Sequence, residues 1–539
     1  MLRFISKQSN TITGAAIILG AASLLSRLLG LFRDRVLTHT FGAGDILDSY
    51  YAAFRIPDLL FNLLILGALS AGFIPVFTRV FLEDNDGPKR GWELTNKLIS
   101  VFVVALGALA VALALAAPVA MRLLTPGFDD AKMQMTVAFS RIMMLAPILL
   151  GLSGIVGGVL QALKRFLIFS LAPIFYNLGI IFGALIFVPL LGPTGLAWGV
   201  VLGAALHLAV QLPTLGGIGF RLCWLFDWRD KLVKKIMTLM VPRTLALATS
   251  QIFLLVITVI GSKLSRGTIA VFNLANNLQS VPLGIIAVSY AVAAFPSLTE
   301  AAARRDIPAL KKTLVGTIRQ ILLFMIPLSI LLILLRAQIV RVIYGSGAFD
   351  WTATIATANA LAFFAMSLFA QGMVQIVARA FYALEDTRTP FFASLIANGL
   401  GALAAIYLAR WGVIGLAGAY SIAQILNFVL LWAPLRLKIG TLETMALLHS
   451  LFKMSGAAVV MAVVAQIVKT RLGNVLNLDT FAGIFTQGVV AGIVGLAVYV
   501  IAGLLLKSEE IKVLVDAVRS RLVRKQFVPT DVSDVGTPQ

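Results

Sequence analysis

The sequence predicts an all-α polytopic membrane protein of fourteen transmembrane helices: two pseudo-symmetric six-helix lobes and two further C-terminal helices. Three observations carry this. Of 539 residues, 59% are hydrophobic and 13% charged, against about a quarter charged in soluble domains, and mean hydropathy is +0.96. Apolar runs near the length that crosses a bilayer as helix, about twenty residues, recur along the whole chain. Weak self-similarity also recurs at one offset, a sign of internal duplication.

Turn and charge clusters at 83–90, 125–132, 229–231, 262–266 and 304–312 set the cuts between spans. The predicted spans run near 12–36, 56–80, 94–117, 135–158, 166–189, 193–215, 237–260, 269–295, 314–335, 354–377, 384–409, 413–434, 450–469 and 482–506. An even number places both termini on one side. One set of loops carries Lys89, Arg90, Lys164, Arg165, Arg229, Lys231, Lys234, Lys235, Arg304, Arg305, Lys311, Lys312, Arg388, Arg436 and Lys438. The opposite set is poorer in basic residues. The positive-inside bias therefore makes the first set, and both termini, cytoplasmic.

The duplication shows in several places. The stretch 161–177, QALKRFLIFSLAPIFYN, resembles 382–398, YALEDTRTPFFASLIAN, 221 residues later; IPVFT at 74–78 and FPSLT at 295–299 share that offset. Six spans per copy is an even number, so the copies are parallel, related by an axis along the membrane normal. The expected organisation is a first lobe over 1–219, a cytoplasmic interfacial linker helix over 220–236, and a second lobe over 237–440. Two extra spans occupy 441–506, and a basic cytoplasmic tail 507–539, amphipathic at first and disordered from 528.

Composition excludes several classes. One cysteine, Cys223, and three histidines leave no disulfide framework and no built metal cluster. No GxxxxGK[ST] loop is present, so direct ATP drive is not expected. No His, Cys or carboxylate has catalytic spacing, which argues against an enzyme. The formal charge of +20 follows from the positive-inside bias and anionic headgroups. Membrane lipids, not nucleic acid, are the expected contact.

Residues 14–41, GAAIILGAASLLSRLLGLFRDRVLTHTF, are apolar enough to enter a bilayer yet hold Arg27, Arg33, Asp34 and Arg35. Arg27 lies roughly 24 Å of helix rise past Thr11, too deep for an anchor at the helix start. A buried charge is expensive unless it faces a polar cavity or reaches the interface. A bundle with a cationic, water-filled interior and an anionic cargo explains the pattern. Arg33 and Asp34 read either as a cargo contact or as a structural ion pair. Arg35 is expected to meet headgroups, and His39 to be exposed. On the second span Arg55, Asp58 and Asn62 share a face. Arg55 and Asn62 line the cavity beside Arg27, or Arg55 snorkels to the interface beside Asp58. On the eighth span Asn273, Asn276, Asn277 and Ser280 form an uncharged polar stripe, suited to sugar or peptide groups or to gluing helices.

The stretch LLSRLLGLFRDRVLTHTFGAGDILDSYYAAFRIPDLLFNLLILGALSAGFIPVFTR resembles the opening of the MurJ (MviN) family of lipid II flippases. YGSGAFDWTATIATANAL followed by FYALEDTRTP resembles that family's second half, and the likeness covers roughly 10–506. The family belongs to the multidrug/oligosaccharidyl-lipid/polysaccharide exporter superfamily. The resemblance implies movement of an undecaprenyl-pyrophosphate-linked peptidoglycan precursor from the inner to the outer face of the bacterial cytoplasmic membrane. It also implies a lipid-linked glycan partner, an association with cell-wall synthesis proteins, and no cofactor beyond coupling to a monovalent cation or the membrane potential. Ser26, Arg27, Arg33 and Asp34 match family positions needed for function, and Arg55 a basic residue opening the second span. Phe61 and Asn62 replace the family's arginines further on. Asn276, Asn277 and Ser280 stand before Pro282 where many members have Asp-Arg and then Glu. The implied mechanism is alternating access. The alternatives are export of another polyprenyl-linked saccharide or of small molecules, and a non-transporting cell-wall scaffold.

Overall fold

The computed structural model describes residues 12–66, 72–82, 86–441 and 444–526. The glycine- and alanine-rich part of the second span, 67–71, and the tail expected to be disordered, 528–539, lie outside the described residues. Among the described residues there is no strand.

The helices follow in order: α1 Ile12–Phe41, α2 Asp45–Leu60, α3 Ile74–Leu82, α4 Gly87–Leu124, α5 Asp130–Met143, α6 Leu145–Ala162, α7 Phe166–Phe182 and α8 Gly195–Ala209. Then come α9 Lys231–Ser262, α10 Thr268–Pro282, α11 Val288–Ala303, α12 Ile307–Leu334, α13 Arg336–Tyr344, α14 Trp351–Ala365 and α15 Leu368–Ala383. The last are α16 Arg388–Leu408, α17 Val413–Ile439, α18 Thr444–Gly473, α19 Phe481–Leu505 and α20 Glu509–Gln526. Nine described helices are long and apolar enough to cross a membrane, ten if α14 and α15, bent by 45°, count as one.

Glycine spacing explains the tightest hairpin. Gly195, Gly199 and Gly203 recur every four residues on α8 and face Gly179 and Gly183. A Cβ on Gly179 would lie 2.3 Å from the Gly203 Cα, and one on Gly183 2.3 Å from the Gly199 Cα. Only bare backbone fits there, the small-residue packing that joins helices in lipid. The chain reverses at Gly192, whose φ of +66° suits glycine.

Local backbone features recur at the 221-residue offset. Lys164 and Glu385 both take φ of 59° in the turns before α7 and α16. Asp129 and Asp350 cap α5 and α14, each side chain accepting a backbone N–H three residues on. A π-helical turn, Phe61–Leu66, follows α2, and another, Leu283–Ala287, follows α10. Burial divides similarly. One hydrophobic cluster draws its buried members from Phe253 to Ile511. Three smaller clusters draw theirs from Leu37 to Met240, apart from Ala270.

Three elements differ from expectation. The linker is not a helix: 220–230 is irregular and α9 begins only at Lys231. Polar residues of α4 take the hydrogen bonds a helix would have made internally. Asn96 Oδ1 accepts from Cys223 N, Asn96 Nδ2 donates to the Arg221 carbonyl, and Ser100 Oγ accepts from Leu225 N. Asp230 then caps α9 by accepting from Leu232 and Val233. Helix α4 extends past the apolar window of 94–117 at both ends, and at its start Pro88 suits a first turn. A short helix, α13, stands between α12 and α14 where a loop was expected. The amphipathic tail helix is present as α20, with Ile511 buried against Gly503.

Candidate functional site

One face of α10 and its π-helical extension organises the site. Asn273, Asn277, Ser280 and Gly284 fall at i, i+4, i+7 and i+11, a single stripe, and each meets a charged residue of the first two helices. Arg55 Nη2 donates to Asn273 Oδ1 at 2.9 Å, and its Nε to Thr258 Oγ1 of α9 at 2.9 Å. Asn277 Nδ2 donates to Asp34 Oδ2 at 2.9 Å. Arg27 Nη1 reaches the Ser280 carbonyl at 3.4 Å, and its guanidinium lies directly over Gly284.

Asp48 closes the ladder at the start of α10. Its Oδ2 accepts from Gly267 N and its Oδ1 from Ala270 N, both at 2.8 Å. The first N–H groups of a helix lack internal partners and carry partial positive charge, so a carboxylate satisfies them well. Lys132 of α5 neutralises Asp48 at 2.8 Å and Asp45 at 3.0 Å, and Asp45 also meets Arg266 Nε at 2.8 Å. Nearby, Ser262 Oγ accepts from Gly127 N, and the His39 carbonyl accepts from Ala348 N. This end of the seam is therefore tied shut by polar contacts between segments 38–132 and 262–348.

The structure brings most of the anticipated residues together, in roles that differ among them. Arg33 is fully engaged: Nε and Nη2 donate to Asp34 Oδ1 at 3.0 and 2.6 Å, and Nη1 to Asn177 Oδ1 of α7 at 3.1 Å. Asp34 is 1% exposed. Arg55 is buried at 8% and does not snorkel. Ser26 is half-buried, and its carbonyl accepts weakly from Asn177 Nδ2 at 3.5 Å. Arg27, also half-buried, makes only the long Ser280 contact among the described residues, which leaves most of its five donors available.

Two residues sit apart from the ladder. Asn62 turns back on its own helix, donating from Nδ2 to the Asp58 carbonyl at 2.8 Å. Asn276 accepts from Gln279, which in turn accepts from Gln371; Gln371 donates to Ser367, hydrogen-bonded to Ser421. That amide chain packs α10 against α15 and α17. Arg35 does not meet headgroups: its Nη1 donates to the Val342 and Ile343 carbonyls at 2.5 and 3.1 Å. The C-terminal carbonyls of α13 have no helical partner and attract a cation. His39 is exposed as expected.

Sequence reasoning missed Asp48, Lys132 and Gly284. The acidic pair Asp45 and Asp48 at i, i+3 beside Gly42 and Gly44 was a visible signal for the first. Nothing in the sequence marks Gly284 among 45 glycines.

The helical bundle shares its fold with solved MATE family transporters of the MOP superfamily. An inward-facing multidrug resistance MATE transporter of that superfamily superposes with TM-score 0.65 at 14% identity, over 78% of this chain and 96% of that one. A solved lipid II flippase MurJ, in an inward closed conformation, superposes with TM-score 0.75 at 22% identity, over 93% of this chain and all of that one. A family model described as lipid II flippase MurJ matches residues 37–485. The probable lipid II flippase MurJ of Rhizobium tropici is 31% identical over 431 residues, covering 78% of this chain and 80% of that protein. The lipid II flippase MurJ of Burkholderia cenocepacia is 28% identical over 462 residues, covering 83% and 88%. The chain belongs to the MurJ family of lipid II flippases.

Proposed function

We infer that this chain flips lipid II, the undecaprenyl-pyrophosphate-linked peptidoglycan precursor, from the inner to the outer face of the cytoplasmic membrane by alternating access. One observation carries the site: among the described arginines set along a seam inside a spanning bundle, Arg27 makes the fewest hydrogen bonds, one at 3.4 Å, against three for Arg33 and two for the buried Arg55. Guanidinium suits a pyrophosphate because its planar fork matches paired oxygens. Arg27 and Arg33, with Ser26 beside them, receive the pyrophosphate. Asp34, Arg55 and Asn277 hold the halves together until it arrives, and Asn62 and Asn276 shape the surrounding walls. The sugar-peptide headgroup cannot cross hydrocarbon unaided, because its polar groups would lose their water partners. No covalent bond changes.

The topology we propose has fourteen spans. To the ten segments already counted are added the second pass of the Gly192 hairpin and three charge-bearing passes, α1, α2 with α3, and α9. Spans one to six and seven to twelve form the two lobes, and the separate hydrophobic clusters support that division. With basic loops and both termini cytoplasmic, the end tied by Asp48 faces outward, and the seam is closed to that side.

The test is Arg27→Ala in cells depleted of their own lipid II flippase, with labelled lipid II scored at the outer face. Flipping falls at least tenfold at unchanged protein level. Undiminished flipping removes Arg27 from the cargo site.

A further inference from the structure

Gly284 is the residue over which Arg27 lies. A Cβ built there would stand 2.1 Å from Arg27 Nη2, 2.2 Å from Cζ and 2.3 Å from Nη1. Those are overlaps with the charged fork itself, so any side chain displaces the guanidinium from this position. Gly284 is also the second residue of the π-helical turn Leu283–Ala287, and such turns are frequent at functional sites. The other half holds a matching contact. Thr244 of α9 donates from Oγ1 to the Leu63 carbonyl at 2.8 Å, inside the π-helical turn Phe61–Leu66. In each half a polar side chain from the first helix thus reaches the π-helical region of the other half's second helix. The two differ in chemistry: a neutral hydroxyl in one, a cation with donors to offer in the other.

We propose that Gly284 is a positioning residue for Arg27. Its missing side chain gives the guanidinium a resting place against α10, from which it transfers to the pyrophosphate of an incoming polyprenyl-linked substrate. This rests on Arg27 as the pyrophosphate ligand. The 3.4 Å contact with the Ser280 carbonyl is long for a hydrogen bond to a cation, so a doubly charged phosphate ester outcompetes it readily. The carbonyl still orients the fork. Any residue larger than glycine moves the Arg27 fork off this resting place, a shift that costs the flexible side chain little but changes where the fork is presented to the substrate.

A structural role for Gly284 makes the opposite forecast. Alanine is the better helix former, so Gly284→Ala leaves the backbone at least as stable. A loss of activity without loss of stability therefore reports on Arg27.

The experiment uses the purified full chain in liposomes, with four forms: wild type, Gly284→Ala, Arg27→Lys, and the double variant. Each is scored for lipid II flipping, for binding of undecaprenyl pyrophosphate in detergent, and for its melting midpoint. Lysine would place Nζ where Arg27 Cζ stands, 2.2 Å from the Cβ position, but it carries no fork, so its single ammonium can swing clear without losing a paired alignment. Gly284→Ala lowers flipping and binding at least tenfold in the wild-type background, with the midpoint held. In the Arg27→Lys background it changes either by less than twofold. With Arg27→Lys itself impaired, equal losses in both backgrounds, or no loss in either, overturn the positioning role and leave the cargo reading standing. If Arg27→Lys itself binds and flips like wild type while Gly284→Ala is impaired in both backgrounds, the assignment of Arg27 fails with it. A midpoint that falls in Gly284→Ala in step with the lost activity, in both backgrounds, assigns the glycine to packing and also overturns the proposal.

Discussion

Asp34 accepts from Arg33 through one carboxylate oxygen at 2.6 Å and from Asn277 through the other at 2.9 Å. A sequence-adjacent ion pair in α1 is thereby fastened to α10, more than 240 residues away. Asp34 is almost wholly buried, and among the described residues Arg33 keeps only Asn177 if it is lost. Removing one partner of a buried pair leaves an uncompensated charge, typically at a cost of about 3–5 kcal/mol. Asp34→Ala should lower the melting midpoint of the purified protein in detergent and its steady-state level in cells. Asn277→Ala leaves the Arg33 pair intact and should cost only about 1 kcal/mol. Equal midpoints for the two variants would remove Asp34 from its place in the seam.

Asp48 binds two backbone N–H groups at the start of α10, so its loss should loosen the tied end of the seam. Lys132 keeps Asp45 as partner, which places the stability cost of Asp48→Ala near the lower end of the roughly 3–5 kcal/mol range. The more direct readout is access. With the exposed Cys223 replaced by Ala, a cysteine introduced at Ala43, whose carbonyl abuts Gly267, should react faster with an impermeant maleimide once Asp48 is Ala. Labelling rates that match with and without Asp48 would show that this cap does not hold the end closed.

Much of this was visible in the sequence, and the remainder has identifiable physical causes. The offset linking 161–177 to 382–398 reappears as the paired left-handed residues Lys164 and Glu385, because turn geometry is local and travels with its motif. The depth of Arg27 followed from helix rise alone. What sequence order could not supply was the partner of each polar group. Asp48 is satisfied by backbone N–H groups of a helix some 220 residues on, and backbone donors leave no trace in residue identity. The linker reads as an interfacial helix over 220–236, yet over 220–230 Asn96 and Ser100 offer its backbone side-chain partners in place of helical ones. Arg35 reads as a headgroup contact because the sequence does not show α13, whose carbonyls it caps.

Arg55 joins α2 to both α9 and α10, through Thr258 and Asn273. Hydrogen bonds to a charged group contribute about 1.5–3 kcal/mol each. A double-mutant cycle on Arg55→Met and Asn273→Ala, read by melting midpoint, should show coupling in that range. The single Arg55→Met variant should also lose more than Asn273→Ala, since it abandons Thr258 as well. Strict additivity would mean that the two side chains do not meet in solution.

Away from the seam, Asp386 in the turn before α16 ties that turn to the end of α17. Burial resists its ionisation. The Lys438 ammonium and the hydroxyl and backbone N–H of Thr389 all donate to it and prevail, holding the carboxyl down at about 2. A carboxyl whose folded pKa lies below its unfolded value of about 3.9 adds stability that is complete above the unfolded value. That stability is lost as pH falls through the folded one. Lys438→Met should therefore lower the melting midpoint by a constant amount at every pH above about 5, with the gap to wild type closing between about pH 4 and 2. A gap that instead closes near neutrality would place the responsible titration on another group.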